Sequence, residues 1–183
     1  MKRYSVIYAD PPWQYRAKRG RGAAEKHYPT MAAQELRALP VEKLADKDAV
    51  LFLWATFPQL EEALGLIQAW GFSYKTCAFV WVKLKRRSQG LFWGLGNWTR
   101  ANAELCLMAV KGRPRRLARN VHQIIISPVE EHSKKPEEAR RRIEALMGNV
   151  PRIELFARRV SPGWDVWGNE VECDVELDAE NYK

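Results

Sequence analysis

Short apolar runs alternate with stretches of helical periodicity along most of the chain. Runs rich in aliphatic and aromatic residues predict buried strands, and apolar residues spaced three and four apart predict amphipathic helices. The predicted strands cover residues 5–9, 49–54, 75–82, 103–110, 122–126 and 152–156. The predicted helices cover residues 32–39, 59–70 and 136–148.

This alternation predicts an α/β fold in which a sheet carries helices on both faces. The 183 residues, 46% of them hydrophobic, are enough for one domain with a sizeable core. We expect a domain over residues 1–170 and, because the end of the chain is acidic, a solvated tail over residues 171–183. The three cysteines are odd in number and far apart, which favours buried reduced thiols over a disulfide or a metal site.

The first predicted strand runs directly into Asp10-Pro11-Pro12-Trp13. Two prolines in series stop a strand and stiffen the turn, at the strand end where open α/β sheets bind ligands. The Asp10 carboxylate and the Pro11 carbonyl could accept the two hydrogens of a planar amine such as N6 of adenine, while Trp13 stacks on the ring. The alternative is a turn that closes the strand and carries an incidental acid.

The tetrapeptide resembles the catalytic motif of the MT-A family of S-adenosylmethionine-dependent adenine N6-methyltransferases. Eukaryotic members of that family methylate messenger RNA, and its bacterial and phage members act largely on DNA. Further segments match the family in order, so that the resemblance covers residues 5–169. These segments are His27-Tyr28-Pro29-Thr30-Met31, Leu51-Phe52-Leu53-Trp54-Ala55-Thr56, Val80-Trp81-Val82-Lys83, Glu104-Leu105-Cys106-Leu107-Met108-Ala109-Val110-Lys111-Gly112, His132-Ser133-Lys134-Lys135-Pro136-Glu137-Glu138, Ile153-Glu154-Leu155-Phe156-Ala157-Arg158, and residues 164–169.

The resemblance implies a Rossmann-like class I methyltransferase sheet that is circularly permuted. In this superfamily the cofactor strand commonly precedes the catalytic strand, whereas here residues 154–158, which look like the cofactor strand, come last. Both strands are expected to end at the same edge of the sheet. The implied cofactor is S-adenosylmethionine, although the sequence has no Gly-x-Gly-x-x-Gly fingerprint.

The resemblance also implies roles for particular residues. The catalytic residues are Asp10, Pro11, Pro12 and Trp13. The cofactor-binding residues are Asp10, Pro11, Lys135, Glu154, Phe156, Arg158, Asn169 and Glu170, and Tyr28 borders the acceptor base. The chain departs from the messenger-RNA enzymes at Ala103, where they carry lysine, at a shorter segment 159–163, and at Glu170, which replaces a neutral amide.

The chain carries 30 Lys and Arg against 22 Asp and Glu, a formal net charge of +8 that favours a polyanionic partner. Positive residues concentrate in the segments 16–21, 83–87 and 111–119, each after an apolar run. Loops of this kind at one edge of the sheet would bind phosphates around the site. The alternative is ordinary solubilising charge. The residues predicted to bind substrate there are Lys18, Arg19, Lys85 and Arg86.

The tryptophans divide into two groups by their sequence context. Trp54, Trp70 and Trp81 lie in apolar surroundings and are predicted to be core residues. Trp93 and Trp98 lie in a glycine-rich loop and are predicted, with Trp13 and Tyr28, to contact an extruded base. His122 and His132 have no partners at ligand spacing, so no metal site is predicted.

We therefore predict methyl transfer from S-adenosylmethionine to N6 of adenine in DNA. Two alternatives stay open: the same reaction on RNA, and a noncatalytic nucleic-acid-binding subunit of a methyltransferase complex. The intact tetrapeptide argues against the second. The sequence leaves a homodimer and a heterodimer open. No apolar segment is long enough to span a bilayer and the start leads into a strand, so we expect no membrane partner and a cytoplasmic protein.

Overall fold

The computed structural model of the protein describes residues 2–14, 30–88, 90–96, 98–130 and 134–177. In these ranges the chain forms one mixed sheet and three α-helices. The strands are β1 (Tyr4–Ala9), β2 (Ala45–Ala55), β3 (Ser73–Leu84), β4 (Ala103–Lys111), β5 (Ile124–Pro128), β6 (Arg152–Leu155) and β7 (Asp165–Trp167). The helices are α1 (Ala33–Ala38), α2 (Leu60–Ala69) and α3 (Glu137–Met147), with short 3₁₀ turns at Val41–Lys43 and Phe57–Gln59.

The strands follow the order β5-β3-β4-β2-β1-β6-β7 across the sheet. Neighbouring strands are parallel except at β4, which is antiparallel to both β2 and β3. The carboxyl ends of the other six strands therefore meet at one edge, together with the start of β4. We call this edge, where Asp10 follows β1, the Asp10 edge.

Both faces of the sheet are covered by helices, as the strand and helix pattern predicted. Successive strand residues point to opposite faces, and each face has its own apolar cluster. Ile7 and Leu51 pack on the face that α1 and α2 cover. Tyr8 and Phe52, one position further along each strand, pack on the face that α3 covers, against Ile143.

The predicted elements are confirmed, with shifts of a few residues at their ends. The strand β7 was missed because three residues are too few for a recognisable pattern. The core prediction for Trp54, Trp70 and Trp81 is confirmed, since each is at most 2% exposed. In the described ranges, no helix combines the length and the apolarity that crossing a membrane requires.

Two expectations need correction. Cys106 is buried and Cys77 half-buried, but Cys173 is exposed; all three are free thiols. The residues just before 178 are not a solvated tail, because Leu177 is buried in the core and the backbone N–H of Asp174 donates to the Val166 carbonyl. This short return pairs the end of the described chain with β7, while residues 178–183 lie outside the described residues.

Candidate active site

The chain leaves β1 through a tight turn that carries the Asp-Pro-Pro-Trp tetrapeptide. The Trp13 N–H donates to the Pro11 carbonyl at 2.8 Å, and the Met31 N–H donates to the Pro12 carbonyl at 2.9 Å. The Trp13 indole N–H donates to the Trp54 carbonyl at 3.2 Å. Trp13 is only 7% exposed, so its ring is part of the wall of the site, and its predicted stacking on a base stays a prediction.

Asp10 begins a row of alternating charges along the Asp10 edge. The Lys135 Nζ atom lies 2.8 Å from Asp10 Oδ2 and 3.6 Å from Glu104 Oε1. The other carboxylate oxygen of Glu104, Oε2, lies 2.9 Å from Lys83 Nζ. Three of the four side chains are mostly buried, and that of Asp10 is 30% exposed. The row therefore holds the Asp10 carboxylate in one place at the end of β1, an inner strand of the sheet.

The two carboxyl groups of this row titrate in opposite directions. Burial raises the pKa of Asp10, and the Glu104 charge adds to the rise, although the Lys135 and Arg158 charges oppose it. Burial acts in the same direction on Glu104, but Lys135 and Lys83 together outweigh it and lower the pKa of Glu104. Glu104 is thus firmly ionised at neutral pH, and Asp10 takes up a proton more readily than an ordinary aspartate does.

Lys135, which lies before the strand predicted to bind the cofactor, is therefore bound to Asp10. Its side chain is only 8% exposed. Its ammonium also lies 5.7 Å from the centre of the Trp54 ring, within the range of a cation–π contact. The Trp54 indole N–H in turn donates to the Tyr8 hydroxyl at 2.6 Å. A buried lysine is stable only with such partners, so the core residue Trp54 and the Asp10 carboxylate fix its position together.

The strand predicted to bind the cofactor lies directly beside β1. β6 is parallel to β1, with Leu155 opposite Ala9, so Phe156 follows its strand where Asp10 follows its own. Phe156 has φ 61°, a left-handed conformation that a bulky residue adopts only when its surroundings impose it. The Ala157 N–H donates to the Trp167 carbonyl at 2.9 Å. A side chain at Gly168 would meet the Ala157 carbonyl oxygen, since an added Cβ would lie 2.0 Å away.

The residues predicted to hold the ribose and adenine lie in the segments that follow β6 and β7. Arg158 Nε lies 3.8 Å from Glu170 Oε1, so these two side chains are together. Asn169 is exposed beside them, in the segment after β7. The Arg158 charge is also close enough to Asp10 to act on its pKa. The Asp10 edge thus brings together Asp10, Lys135, Arg158 and Glu170, which are far apart in the sequence.

Glu154 has a different environment from the other predicted cofactor residues. It points to the α3 face, where its Oε1 and Oε2 atoms each lie 2.7 Å from guanidinium nitrogens of Arg140. Both side chains are less than 10% exposed. This bidentate pair connects α3 to β6, and a cofactor role for Glu154 stays a prediction.

The basic segments do not all lie at one edge. Lys85, Arg86 and Arg87 follow β3 at the Asp10 edge and are exposed. The segment after β4 lies at the opposite edge, because β4 is antiparallel and ends beside the start of β2. There the Arg113 N–H donates to Asp48 Oδ1 at 2.7 Å. The expectation of one continuous phosphate-binding edge is therefore wrong for residues 111–119.

Several predicted substrate contacts fall outside the described residues, namely Lys18, Arg19 and Tyr28. Lys83, predicted to belong to a basic loop, instead lies at the end of β3 and binds Glu104. Trp93 and Trp98 are 68% and 99% exposed in the connection between β3 and β4, as a contact to substrate requires. That contact stays a prediction.

The sequence reasoning missed Glu104 and Lys83 as site residues. The available signal was a single acid at the start of an otherwise apolar strand, since a buried carboxylate needs a cation beside it. The pattern could not identify that cation, because Lys83 and Lys135 reach Glu104 from other elements.

A family model described as MT-A70 matches residues 4–170. The Type II methyltransferase M.MunI of Mycoplasma sp is 36% identical over 190 residues, which cover 93% of this chain and 78% of that protein. The N(6)-adenosine-methyltransferase MT-A70-like protein of Drosophila melanogaster is 33% identical over 97% of the chain, and the N(6)-adenosine-methyltransferase catalytic subunit METTL3 of Homo sapiens is 32% identical over 97%. The chain spans only 28% and 30% of these two relatives.

These relatives are methyltransferases, and the acid at the carboxyl end of β1 lies where open α/β sheets bind their ligands. The chain belongs to the MT-A70 family. The family predicted from the sequence motifs is thereby confirmed.

Proposed function

We propose that the protein transfers a methyl group from S-adenosylmethionine to the exocyclic N6 amine of adenine in DNA. The observation that carries the proposal is the position of Asp10. Its carboxylate is fixed by Lys135 at the end of β1, next to the turn after β6. An acceptor amine and a methyl donor could therefore meet at this edge.

The chemistry that the protein must assist is the weak nucleophilicity of an aromatic amine, whose lone pair is delocalised into the ring. Lys135 binds Asp10 Oδ2, and Asp10 Oδ1 accepts no hydrogen bond from the described residues. Oδ1 can accept one N6 hydrogen, and the Pro11 carbonyl, which uses one lone pair for the Trp13 N–H, can accept the other. Holding both hydrogens favours the pyramidal amine, and the carboxylate stabilises the positive charge that develops on nitrogen.

The residues beside Asp10 fit the proposed cofactor. S-adenosylmethionine, when bound, supplies an electrophilic methyl group on a positively charged sulfur. The turn after β6 provides close backbone packing at Phe156 and Gly168, with the Arg158 cation and the Glu170 carboxylate beside it. A carboxylate can accept the hydroxyl hydrogens of a ribose, and a guanidinium can bind a carboxylate. Asp10, Pro11, Lys135, Arg158, Asn169 and Glu170 are thus the proposed cofactor contacts.

The same arrangement supports a circularly permuted methyltransferase sheet. The proposed catalytic strand β1 comes first in the chain and the proposed cofactor strand β6 comes nearly last, yet they are parallel neighbours in the sheet. Circular permutation changes the order of the strands along the chain but not which strands are adjacent in the sheet. The pairing of β1 with β6 is therefore kept.

DNA is favoured as the substrate because the match to a bacterial type II methyltransferase spans most of that relative. The same reaction on RNA is the second candidate, since the eukaryotic relatives carry adenosine in their names. A noncatalytic subunit is disfavoured by the intact tetrapeptide and the fixed Asp10 carboxylate. We place the reaction in the cytoplasm, with the oligomeric state left to measurement.

The variants Asp10→Ala and Asp10→Asn test the proposal. Each removes the charge that holds the amine, so we expect methyl transfer to fall to background in a radiolabelled-methyl assay. Circular dichroism at the assay temperature checks that each variant is folded, because removal of the Asp10 charge takes one partner from the buried Lys135 ammonium. Asp46→Asn, at a half-buried aspartate near the start of β2 and so at the opposite edge of the sheet, is the matched control. Near-normal activity of the Asp10 variants would exclude Asp10 from catalysis.

The choice between DNA and RNA needs a direct comparison of substrates. Single-stranded DNA, duplex DNA and RNA of the same sequence would be incubated with the enzyme and labelled cofactor, and the product nucleoside identified. N6-methyldeoxyadenosine as the main product is the expected result. A preference for RNA would contradict DNA as the substrate and support the second candidate, methylation of adenosine in RNA.

A further inference from the structure

The connection between β3 and β4 exposes large apolar side chains at the Asp10 edge. Trp98 is 99% exposed, Leu95 71%, Trp93 68% and Leu91 49%. Single exposed apolar residues are normal in a soluble protein, but four in one short connection indicate an interaction surface. We call residues 91–96 and 98–101 the aromatic loop.

The aromatic loop is held in shape by its own backbone. The Gly94 N–H donates to the Ala101 carbonyl at 3.0 Å, and the Phe92 N–H donates to the Lys83 carbonyl at 2.8 Å. A Cβ at Gly94 would lie 2.1 Å from the Ala101 carbonyl oxygen, so only glycine allows this close approach. Gly96 has φ +46°, which also favours glycine. The backbone at the two ends of the loop is therefore held together, and its apolar side chains project into solvent.

The charge around the aromatic loop indicates the chemistry of its partner. Residues 84–103 contain no Asp or Glu. Lys85, Arg86 and Arg87 are exposed just before the loop, and the Arg100 guanidinium lies 5.6 Å from the centre of the Trp93 ring. Aromatic rings bind the bases of a nucleic acid by stacking, and neighbouring cations bind its phosphates. A nucleic acid is therefore the partner that fits this surface.

The position of the loop relative to Asp10 adds a further constraint. It joins β3 to β4, and β4 is separated from β1 by β2 alone, which is about 10 Å at ordinary strand spacing. An adenine that reaches Asp10 from a duplex must first leave the base stack. The loop lies at the same edge of the sheet as Asp10, so a duplex whose extruded base occupies the site would extend beside the loop.

We infer that the aromatic loop enters duplex nucleic acid and that Trp98 occupies the stacking space from which the target adenine is extruded. This inference rests on the proposed function and specifies its substrate as a duplex. Apolar side chains inserted between base steps unstack them in other DNA-binding proteins. Trp98 has the most exposed ring of the aromatic loop, and the segment that carries it, residues 84–103, contains no acid.

The test compares Trp98→Ala with the wild-type protein on a duplex and on the same strand without its complement. A base in a single strand needs no extrusion, so insertion of Trp98 should affect the methylation rate of the duplex alone. We expect the duplex-to-single-strand ratio of methylation rates to fall by about tenfold, within the range of one lost stacking contact. Trp98→Phe should keep most of the ratio. Tyr74→Ala, at a half-exposed aromatic residue near the opposite edge, is the matched control and should not change it.

A second readout does not depend on catalysis. Duplexes carrying 2-aminopurine in place of adenine become fluorescent when that base leaves the stack. Wild-type protein should raise the fluorescence and Trp98→Ala should not, at protein concentrations that saturate binding of both. If no nucleic acid is methylated but the fluorescence still rises, the proposed function is contradicted, whereas the insertion of Trp98 into the duplex is still supported.

Three results would overturn the inference. Equal losses on duplex and single strand would make Trp98 an ordinary base contact. An unchanged ratio together with unchanged fluorescence would remove Trp98 from extrusion. Loss of a dimer by light scattering in Trp98→Ala, with the ratio unchanged, would make the aromatic loop a protein interface.

Discussion

At the scale of single residues, the site depends on one lysine shared between two acids. Lys135 binds Asp10 and Glu104, and Lys83 binds the far oxygen of Glu104. Lys83 therefore balances a buried charge that would otherwise compete with Asp10 for Lys135. This makes Lys83 a positioning residue for the proposed reaction although it does not touch Asp10.

The first prediction concerns the pH dependence of methyl transfer. Asp10 must be ionised to accept the amine hydrogens, and burial raises its pKa above the ordinary value of about 3.9. Activity should therefore be lost as pH falls through this raised pKa, and the acid limb of kcat/KM against pH should lie above that of an exposed aspartate. An acid limb at or below the ordinary value would contradict the assignment of that limb to Asp10.

The second prediction is that Lys83→Met moves this acid limb further toward higher pH. Without Lys83, the Glu104 charge is less compensated and raises the pKa of Asp10, while Lys135 and Arg158 still lower it. The pH profile of kcat/KM measures the shift. Lys83→Arg should restore the wild-type profile, and Lys75→Met, at an exposed lysine on the same strand, should leave it unchanged.

At the scale of elements, α3 and β6 are connected by the buried pair of Arg140 and Glu154. Both carboxylate oxygens accept from the guanidinium at 2.7 Å. A buried ion pair contributes little net stability, but removal of one partner leaves a buried charge without compensation. Because β6 leads into the proposed cofactor turn, this ion pair helps to hold that turn in position.

The third prediction follows from that pair. Arg140→Met should lower the free energy of unfolding by about 3 to 5 kcal/mol, measured by urea denaturation. The double variant Arg140→Met, Glu154→Leu should recover much of the loss, since it removes both charges. Arg141→Met is the control: Arg141 is 69% exposed and its pair with Glu138 is a surface one, so its effect should stay below about 1 kcal/mol. A loss in the control as large as in Arg140→Met would contradict the argument.

The elements themselves could be predicted well from the sequence. Residues 5–9, 49–54 and 152–156 are apolar runs bounded by turn residues, and each is a strand in the structure. The direction of β4 could not be predicted, because apolar periodicity is the same in a parallel and an antiparallel strand. That direction decides that residues 111–119 lie at the edge opposite Asp10.

At the scale of the whole molecule, the net charge of +8 matters less than its distribution between the two edges. Residues 85–87 lie at the Asp10 edge, and residues 113–116 lie at the opposite edge. Binding of a nucleic acid whose adenine reaches Asp10 should therefore depend on the first group. The second group should act only through the general field of the protein.

The fourth prediction compares two double variants that each remove two positive charges. Lys85→Ala with Arg87→Ala should weaken DNA binding and reduce the slope of log affinity against log salt by up to about 2, since each phosphate contact contributes about 0.9. Arg115→Ala with Arg116→Ala should leave the slope close to wild type. Fluorescence anisotropy at several salt concentrations measures both. Equal effects of the two double variants would indicate that net charge alone controls binding.

The sequence by itself determined the order of strands and helices, the family, and the tetrapeptide at the first strand end. These follow from local patterns, because periodicity, prolines and a short motif depend on residues that are neighbours in the chain. It also separated the core tryptophans from Trp93 and Trp98 by their local surroundings.

Only the tertiary structure decided which charges meet. Asp10, Glu104 and Lys135 lie on three separate segments, and pairing of β1, β2 and β4 brings the first two to one edge. The loop before α3 supplies the third. Such contacts depend on strand direction and on how α3 lies against the sheet. No local pattern encodes them, because the partners that compensate the cost of burying each charge are distant in the sequence.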